Sequence, residues 1–473
     1  MINHKSGSYG EIFSIALPLV VSTSSWTLMH FTDRLFLSRY SNDALAAALP
    51  AGVTSFTFIC FFMGVAGYTS AFVAQYYGSG QFKKIGPIVW QGIFFALFSG
   101  ILLLPLIPLS FPLFRFIGHP GKIPELEAAY FQILCYGKVF ALLSGVFSGF
   151  FSGLGKTKTV MTINILGASL NVVLDYAWIF GMWRIPRWGI YGAAWATIIS
   201  TFLMALAFFI LFIMPENRKK YAAISGFGFD FKLFRRLLRY GIPNGVQFLL
   251  DMAAFTLFVL FIGRLGKVEL QASNIAFNIN VFAFMPMIGF GIAASILVGQ
   301  YLGRNMPHIA EICVKRIFRL TFLYMAIISM TYILFPSLYV RIYGSRENPE
   351  LLEDVYRMAK ILLVYVAVYS FFDSVNLIFS SAIKGAGDTD YVMKIVVIAS
   401  IFCVIIPSYV CCVIYNGSVY IAWTFFSLYI VVIAIAFLLR YRGGKWKSMR
   451  VIEMRISELT PAASAPSESE VMR

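Results

Sequence analysis

Long apolar runs separated by short polar breaks recur along this chain near residues 12–37, 48–76, 86–110, 128–152, 159–182 and 190–214. They recur again near 242–263, 271–300, 317–339, 359–382, 393–415 and 419–440. Each is long enough to cross a hydrocarbon core, which takes about 20 residues of helix, and inside lipid a helix satisfies its own backbone polar groups. The pattern predicts an all-α polytopic membrane protein of twelve transmembrane helices, six on either side of a polar stretch at 215–240.

The two sets of six are copies. Leu17–Gln81 aligns without a gap on Ile242–Met306, which places Pro18 on Pro243, Leu45 on Leu270, Gly64 on Gly289, Gln75 on Gln300, Tyr76 on Tyr301 and Gly78 on Gly303. Further on, Gly153-Leu-Gly155-Lys-Thr157 is echoed by Gly385-Ala-Gly387-Asp-Thr389. Six is even, so both halves enter the membrane in the same direction, as two six-helix bundles related by a pseudo-twofold axis along the membrane normal. The expected division is an N-terminal bundle (1–214), a cytoplasmic linker (215–240), a C-terminal bundle (241–440) and a cytoplasmic tail (441–473) that is partly disordered. Pro18 and Pro243 each remove a helical hydrogen bond, so they mark either a bend or the start of a helix.

Composition agrees with the span pattern. Hydrophobic residues make up 59% of the chain, charged residues 13%, and mean hydropathy is +0.78, more apolar surface than a soluble protein of this length can hide. The net charge of +16 does not point to nucleic acid, because the basic residues sit at helix ends rather than in a folded basic domain. Counted through alternating loops, Lys5, Lys83, Lys84, Lys156, Lys158, the 218–239 cluster, Arg304, Lys315, Arg316, Arg319, Lys384, Lys394 and the 440–455 segment share one side. The positive-inside rule makes that side cytoplasmic, with both termini, in a bacterial plasma (inner) membrane. The first span has its own partner in the repeat, so it is kept as structure rather than as a signal peptide. The six cysteines lack ligand spacing and read as core residues. Gly153-Leu-Gly-Lys-Thr157 resembles the end of a phosphate loop, but Phe150 stands where its first Gly belongs. With no HExxH, GxSxG or paired CxxC either, the expectation is a protein that is not an enzyme, has no cofactor and does not use ATP.

The informative residues are then the ionisable ones inside spans, each costing about 2.5–3.5 kcal/mol at a helix centre. These are Asp33, Lys138, Asp175, Asp251 and Asp373, with His30 one turn before Asp33 on the same face. Lys138 reads as a structural partner of Asp175 or Asp33, Arg34 as snorkelling to the headgroups, and His30 as a packing residue. With Arg34 read as turned to the headgroups, Asp33, Asp251 and Asp373 have no obvious basic partner in sequence and read as functional. A carboxylate held away from water can carry a proton, and paired carboxylates with nearby carbonyl and amide oxygens can cage sodium; both remain open.

The set formed by Asp33 with Leu45-Ala-Ala-Ala48, Val73-Ala-Gln75-Tyr-Tyr-Gly78, Asn171-Val-Val-Leu-Asp175, Gly192-Ala-Ala-Trp-Ala-Thr197, Gly241-Ile-Pro243, Asp251, Val298-Gly-Gln300-Tyr-Leu-Gly303 and Lys384-Gly-Ala-Gly387 resembles the multidrug and toxic compound extrusion (MATE) family, over residues 10–440. The resemblance implies a monomer in the lipid bilayer, built of two bundles in a V, that expels small organic cations in exchange for protons or sodium ions. It implies an N-half site at Asp33, Asn171, Asp175 and Thr197. By likeness to the NorM-like branch it also implies a C-half site for a monovalent cation at Asp251, Asn278, Tyr369 and Asp373. Tyr136 and Tyr369 are the expected substrate contacts. The chain departs from the family pattern at Asp251, where that branch usually carries glutamate, and at Arg34, which would disturb Asp33 if it turned inward. A lipid-linked precursor flippase of the same superfamily is the alternative, and it needs a basic cavity that the excess of intramembrane Asp argues against.

Overall fold

The computed structural model describes residues 5–117, 121–182, 186–341 and 349–453. Among them, twelve helices are long and apolar enough to span a membrane. In the first half these are α1 (Tyr9–Tyr40), α2 (Asn42–Gly78, broken by a turn at Tyr68), α3 (Phe82–Leu103), α4 (Ile123–Gly153), α5 (Thr157–Phe180) and α6 (Ile190–Ile213). In the second they are α7 (Phe231–Leu265), α8 (Lys267–Gly303), α9 (Pro307–Leu334), α10 (Glu353–Ala386), α11 (Thr389–Ile414) and α12 (Val419–Arg442). Local chemistry sets several ends. Ser8 caps α1 by accepting from the Glu11 N–H at 3.2 Å, and Ser41 ends α1 while its hydroxyl caps α2 through Ala44.

The seventh helix corrects two expectations. It starts at Phe231, where Asp230 Oδ1 accepts from the Lys232 and Leu233 N–H groups at 2.9 and 3.1 Å. The stretch 215–240 is therefore a short helix (Pro215–Tyr221), a bend, and the first polar turns of α7, and Lys232, Arg235, Arg236 and Arg239 lie on helix rather than in a loop. Hydropathy misses these turns because they are basic. Neither Pro18 nor Pro243 begins a helix; both are interior and buried. The carbonyl that Pro18 frees four residues earlier, Ser14 O, is taken up by the Thr157 hydroxyl at 3.2 Å.

Within each half the same packing order recurs: α1 on α5, α2 on α4 and α4 on α6, echoed by α7 on α11, α8 on α10 and α10 on α12. The halves meet through α1 against α8 and α7 against α2, a pair of contacts that the pseudo-twofold exchanges. The approach is close enough to need glycine. A Cβ on Gly78 would lie 2.0 Å from Gln300 O, and one on Gly303 would lie 2.3 Å from Gln75 O. Gly64 and Gly289 lie equally hard against Gly245 and Val20.

Hydrogen bonds tie this interface at the end of the molecule that carries the basic loops. Gln75 Nε2 donates to Gly385 O at 3.0 Å, Gln300 Nε2 to Gly153 O at 2.8 Å, and Tyr68 OH to Lys384 O at 2.7 Å. A strap after α12 crosses the same end. Trp446 packs in the C-half core, whereas Val451 and Ile452 sit in the N-half core, and the Val451 N–H donates to Gln75 Oε1 at 2.8 Å. Glu453 pairs with Lys84 at 2.9 Å and Arg236 at 2.6 Å. The expected disordered part of the tail, from 454 on, lies outside the described residues. Moving away from the basic end, the last hydrogen bonds joining the halves among the described residues are Asn244 to Gly64 O (2.7 Å) and Thr23 to Met285 O (2.9 Å). At about 1.5 Å per helical residue, Asp33 lies about 15 Å beyond Thr23 and Asp251 about 10 Å beyond Asn244. The carboxylates thus sit beyond the last of these hydrogen bonds, at a level where Phe31 of α1 and Phe282 of α8 still meet edge to face at 6.3 Å.

Candidate functional site

In the N-half, α1 and α5 pack along their length and bring Asp33 and Asp175 together. Both are buried, Asp175 completely. Between them stands Asn171, one turn before Asp175 and also fully buried. With its amide nitrogen turned toward the acids, the orientation that satisfies both sides, Asn171 donates to Asp33 Oδ1 and Asp175 Oδ2 at 3.1 Å each. That uses both of its N–H bonds, and Asp175 Oδ1 has no hydrogen-bond partner among the described residues. His30 Nδ1 lies 3.8 Å from Asp33 Oδ2, with its ring 59% exposed. Buried Tyr130 of α4 lies within reach of both acids' charges.

Two cations expected beside this pair are elsewhere. Lys138 forms no ion pair with Asp33 or Asp175 among the described residues; its charge is felt by Cys60 and Cys135 on α2 and α4. Arg34 is exposed rather than turned inward. The fourth expected member, Thr197, is half-buried and its hydroxyl donates to Ala193 O of its own helix at 3.0 Å, so the structure does not join it to the carboxylates. Tyr136 is 52% exposed and lies about 200° around α4 from Lys138, facing away from the α2 side that Lys138 addresses.

The C-half carboxylates are served differently. Asp251 Oδ1 accepts from Tyr429 OH at 3.1 Å, and Oδ2 accepts from Gln247 Nε2 at 3.2 Å. Gln247 Oε1 in turn accepts from Lys384 Nζ at 3.3 Å. Asp373, buried on α10, accepts from Asn376 Nδ2 at 3.1 Å, and the two acids feel one another's charge. Tyr369 is buried, but its hydroxyl meets Asn280 at 3.2 Å, whereas Asn278 donates to Asn274 O of its own helix at 2.8 Å. Of the expected four residues, Tyr369 is therefore hydrogen-bonded on α8 to Asn280, about 200° around the helix from Asn278. No cluster of three or more His, Cys, Asp or Glu able to hold a metal ion occurs among the described residues. Gln247, Asn280, Asn376, Lys384 and Tyr429 are the members that sequence reasoning missed. Gln247 was detectable four residues before Asp251 on the same face; Tyr429 carried no signal at such separation.

The structure thus places two separate clusters of acids within the spans, Asp33 with Asp175 in one half and Asp251 with Asp373 in the other. Comparisons with known proteins fit this picture. The family model MatE matches residues 18–177 and 243–410, one stretch in each half. A probable multidrug resistance protein NorM of Thermotoga maritima is 26% identical over 95% of this chain and 96% of its own length. One from Pasteurella multocida is 28% identical over 83% of each. Among solved structures, an outward-facing multidrug resistance MATE family transporter of the MOP superfamily superposes with a TM-score of 0.83 at 20% identity, over 93% of this chain and 96% of that one. A MOP superfamily transporter from Pyrococcus furiosus, whose binding pocket is described as reversed in polarity, gives 0.84 at 19% over the same shares.

Proposed function

Because the chain belongs to the MatE family of multi-pass membrane transporters, which are not enzymes, we propose that it is a multidrug efflux antiporter exporting small organic cations in exchange for an incoming ion by alternating access. The relatives named as multidrug resistance proteins support the substrate class. The observation that carries the exchange reading is the Asp33–Asn171–Asp175 cluster: two buried carboxyls, one amide, and no ion-paired ammonium among the described residues. Such a pair is complete with one proton or one cation between the acids, so an incoming ion and an outgoing cation exclude one another there. The proton fits best. A sodium ion needs a shell of several oxygens, whereas Asn171, in the orientation that donates to both acids, turns its oxygen away, leaving the His30 imidazole and the Tyr130 hydroxyl as the other near groups. At Asp251 both carboxylate oxygens already accept from donors.

In this reading the basic end is cytoplasmic with both termini, the membrane is the bacterial inner membrane, and the seal at Gln75, Gln300 and Tyr68 is the cytoplasmic gate in its closed state. One charge crossing about 150 mV is worth about 3.5 kcal/mol, enough for a substrate gradient of a few hundred-fold. The deciding experiment is export of ethidium from proteoliposomes under a pH gradient alone and a sodium gradient alone. Transport with pH only supports the N-half pair as the coupling site. Transport with sodium only moves the coupling to Asp251 and Asp373. No transport in either favours the lipid-precursor flippase.

A further inference from the structure

Lys384 stands where the C-half carboxylates meet the inter-half seal, and its two ends serve different partners. Its ammonium donates to Gln247 Oε1 at 3.3 Å, and Gln247 Nε2 donates to Asp251 Oδ2 at 3.2 Å, so one amide separates the cation from the acid. Its backbone carbonyl accepts from Tyr68 OH of α2, in the other half, at 2.7 Å. The next carbonyl, Gly385 O, accepts from Gln75 Nε2 at 3.0 Å, and Gly385 is pressed so tightly on α8 that a Cβ would lie 2.5 Å from Ser295 O. The backbone at this point has little freedom to move without disturbing the seal. Lys384 forms no direct ion pair among the described residues. The charged group that acts on it is Asp251 on α7; Asp373, which feels Asp251, lies three turns earlier on its own helix, and Asp388, one turn later, is paired with Arg440.

We propose that Lys384 is a tethered counter-cation for Asp251: it competes with any incoming cation for that carboxylate, and its backbone bond to Tyr68 passes the outcome to the seal. When a free cation occupies Asp251, the positive charge of Lys384 becomes unfavourable beside it, and the end of α10 that carries both the ammonium and the Tyr68 acceptor is biased to shift. When the cation leaves, the Lys384–Gln247–Asp251 chain closes again and the seal is restored. Lys384 is on this account a positioning residue, acting through Gln247 and Tyr68 rather than holding the transported molecule. The inference deepens the cation-export reading above and rests on it.

The test is equilibrium binding of ethidium to purified protein in detergent, followed by fluorescence anisotropy, with ion-driven ethidium export from proteoliposomes as a second readout. Lys384→Met removes a fixed positive charge, so ethidium is expected to bind roughly three- to tenfold tighter while ion-driven export falls by about tenfold or more. Lys384→Arg keeps the charge and is expected to bind as the wild type does. A residue that merely supported the fold would weaken binding when removed, not tighten it. Should Lys384→Met give no folded protein, Lys384→Gln, which removes the charge and retains a hydrogen bond to Gln247, carries the same expectation. Unchanged or weaker binding in the folded, charge-free variant overturns the role of Lys384. Absence of ethidium binding in the wild type overturns the cation-export reading itself, and the two failures are read from different samples.

Discussion

The two acid clusters differ more than the two halves that carry them. The frame obeys the repeat: Gln75 and Gln300, and Gly78 and Gly303, occupy matching places and make matching contacts, and Pro18 and Pro243 occupy matching interior places in their helices. The acids do not. The gapless alignment puts Phe258 opposite Asp33 and Trp26 opposite Asp251, and Lys384 answers to Ser152. The N-half pair is shared by one amide; the C-half pair has a hydroxyl, two amides and, one bond farther, an ammonium. Duplication preserved the surface where the halves close and left the charge chemistry free to diverge. Two clusters of unlike chemistry then point to unlike duties, the first holding the exchanged ion and the second sensing occupancy.

The largest expected effect separates those duties. Asp33→Asn or Asp175→Asn is expected to lower ion-driven ethidium export by about a hundredfold with membrane insertion intact, because a neutral amide cannot take part in charge exchange. Asp251→Asn is expected to cost about tenfold, since it silences the sensor rather than the carrier. Equal losses on the two sides, measured in the same proteoliposomes, would erase the distinction.

Donor removal is the next step down. Asn171→Leu strips two hydrogen bonds from a fully buried pair, and Tyr429→Phe strips one from a half-buried acid. At about 1–3 kcal/mol for each buried group left unsatisfied, Asn171→Leu is expected to lower the apparent melting temperature in detergent more than Tyr429→Phe. Only the former should also abolish export. The reverse order would mean that the C-half donors carry more of the site than their geometry indicates.

The seal allows the same contrast where the repeat is faithful. Gln75 bonds Gly385 O, Ala386 O and the Val451 N–H, whereas Gln300 bonds Gly153 O. Gln75→Ala is expected to open the basic end further than Gln300→Ala, read as faster labelling of a cysteine placed at Ser79 by a membrane-impermeant maleimide. The extra bond is to the strap, which has no counterpart in the first half.

How far the sequence could show this depends on what each feature asks of neighbours. Spans and the repeat, with its matched glycines, are properties of one segment or of two aligned ones, and they were legible. The start of α7 was not, because a basic amphipathic turn outside the membrane carries no hydropathy signal and is betrayed only by the Asp230 cap. Asp33, Asn171 and Asp175 met because α1 and α5 pack in parallel register, which the family resemblance supplied. Asn278 came from the family resemblance, and the bond of Asn280 to Tyr369 was not legible because sequence alone does not give the rotation of α8 to within a residue. Lys384 was counted as a surface charge: a lysine near a helix end can snorkel outward or turn in with the same stem, and only the position of Gln247 on another helix decides.

The smallest effect belongs to the strap. Glu453 is held below the usual carboxylate range first by its hydrogen bond to Lys84 and then by Arg236. A carboxyl whose folded value is depressed stabilises the folded state above its unfolded value, near 4.3, and loses that contribution as pH falls through the folded value. Its side chain is 53% exposed, so the pair is screened, and about 1 kcal/mol or less is at stake. Glu453→Gln is therefore expected to lower the melting temperature in detergent by no more than a few degrees at pH 7. The difference should shrink as pH is taken down to 4 and vanish in 1 M salt. No difference even at pH 7 would show that the strap is held by Val451 and Ile452 in the N-half core, whereas a difference that persisted through both changes would show that Glu453 acts through uncharged hydrogen bonds or packing.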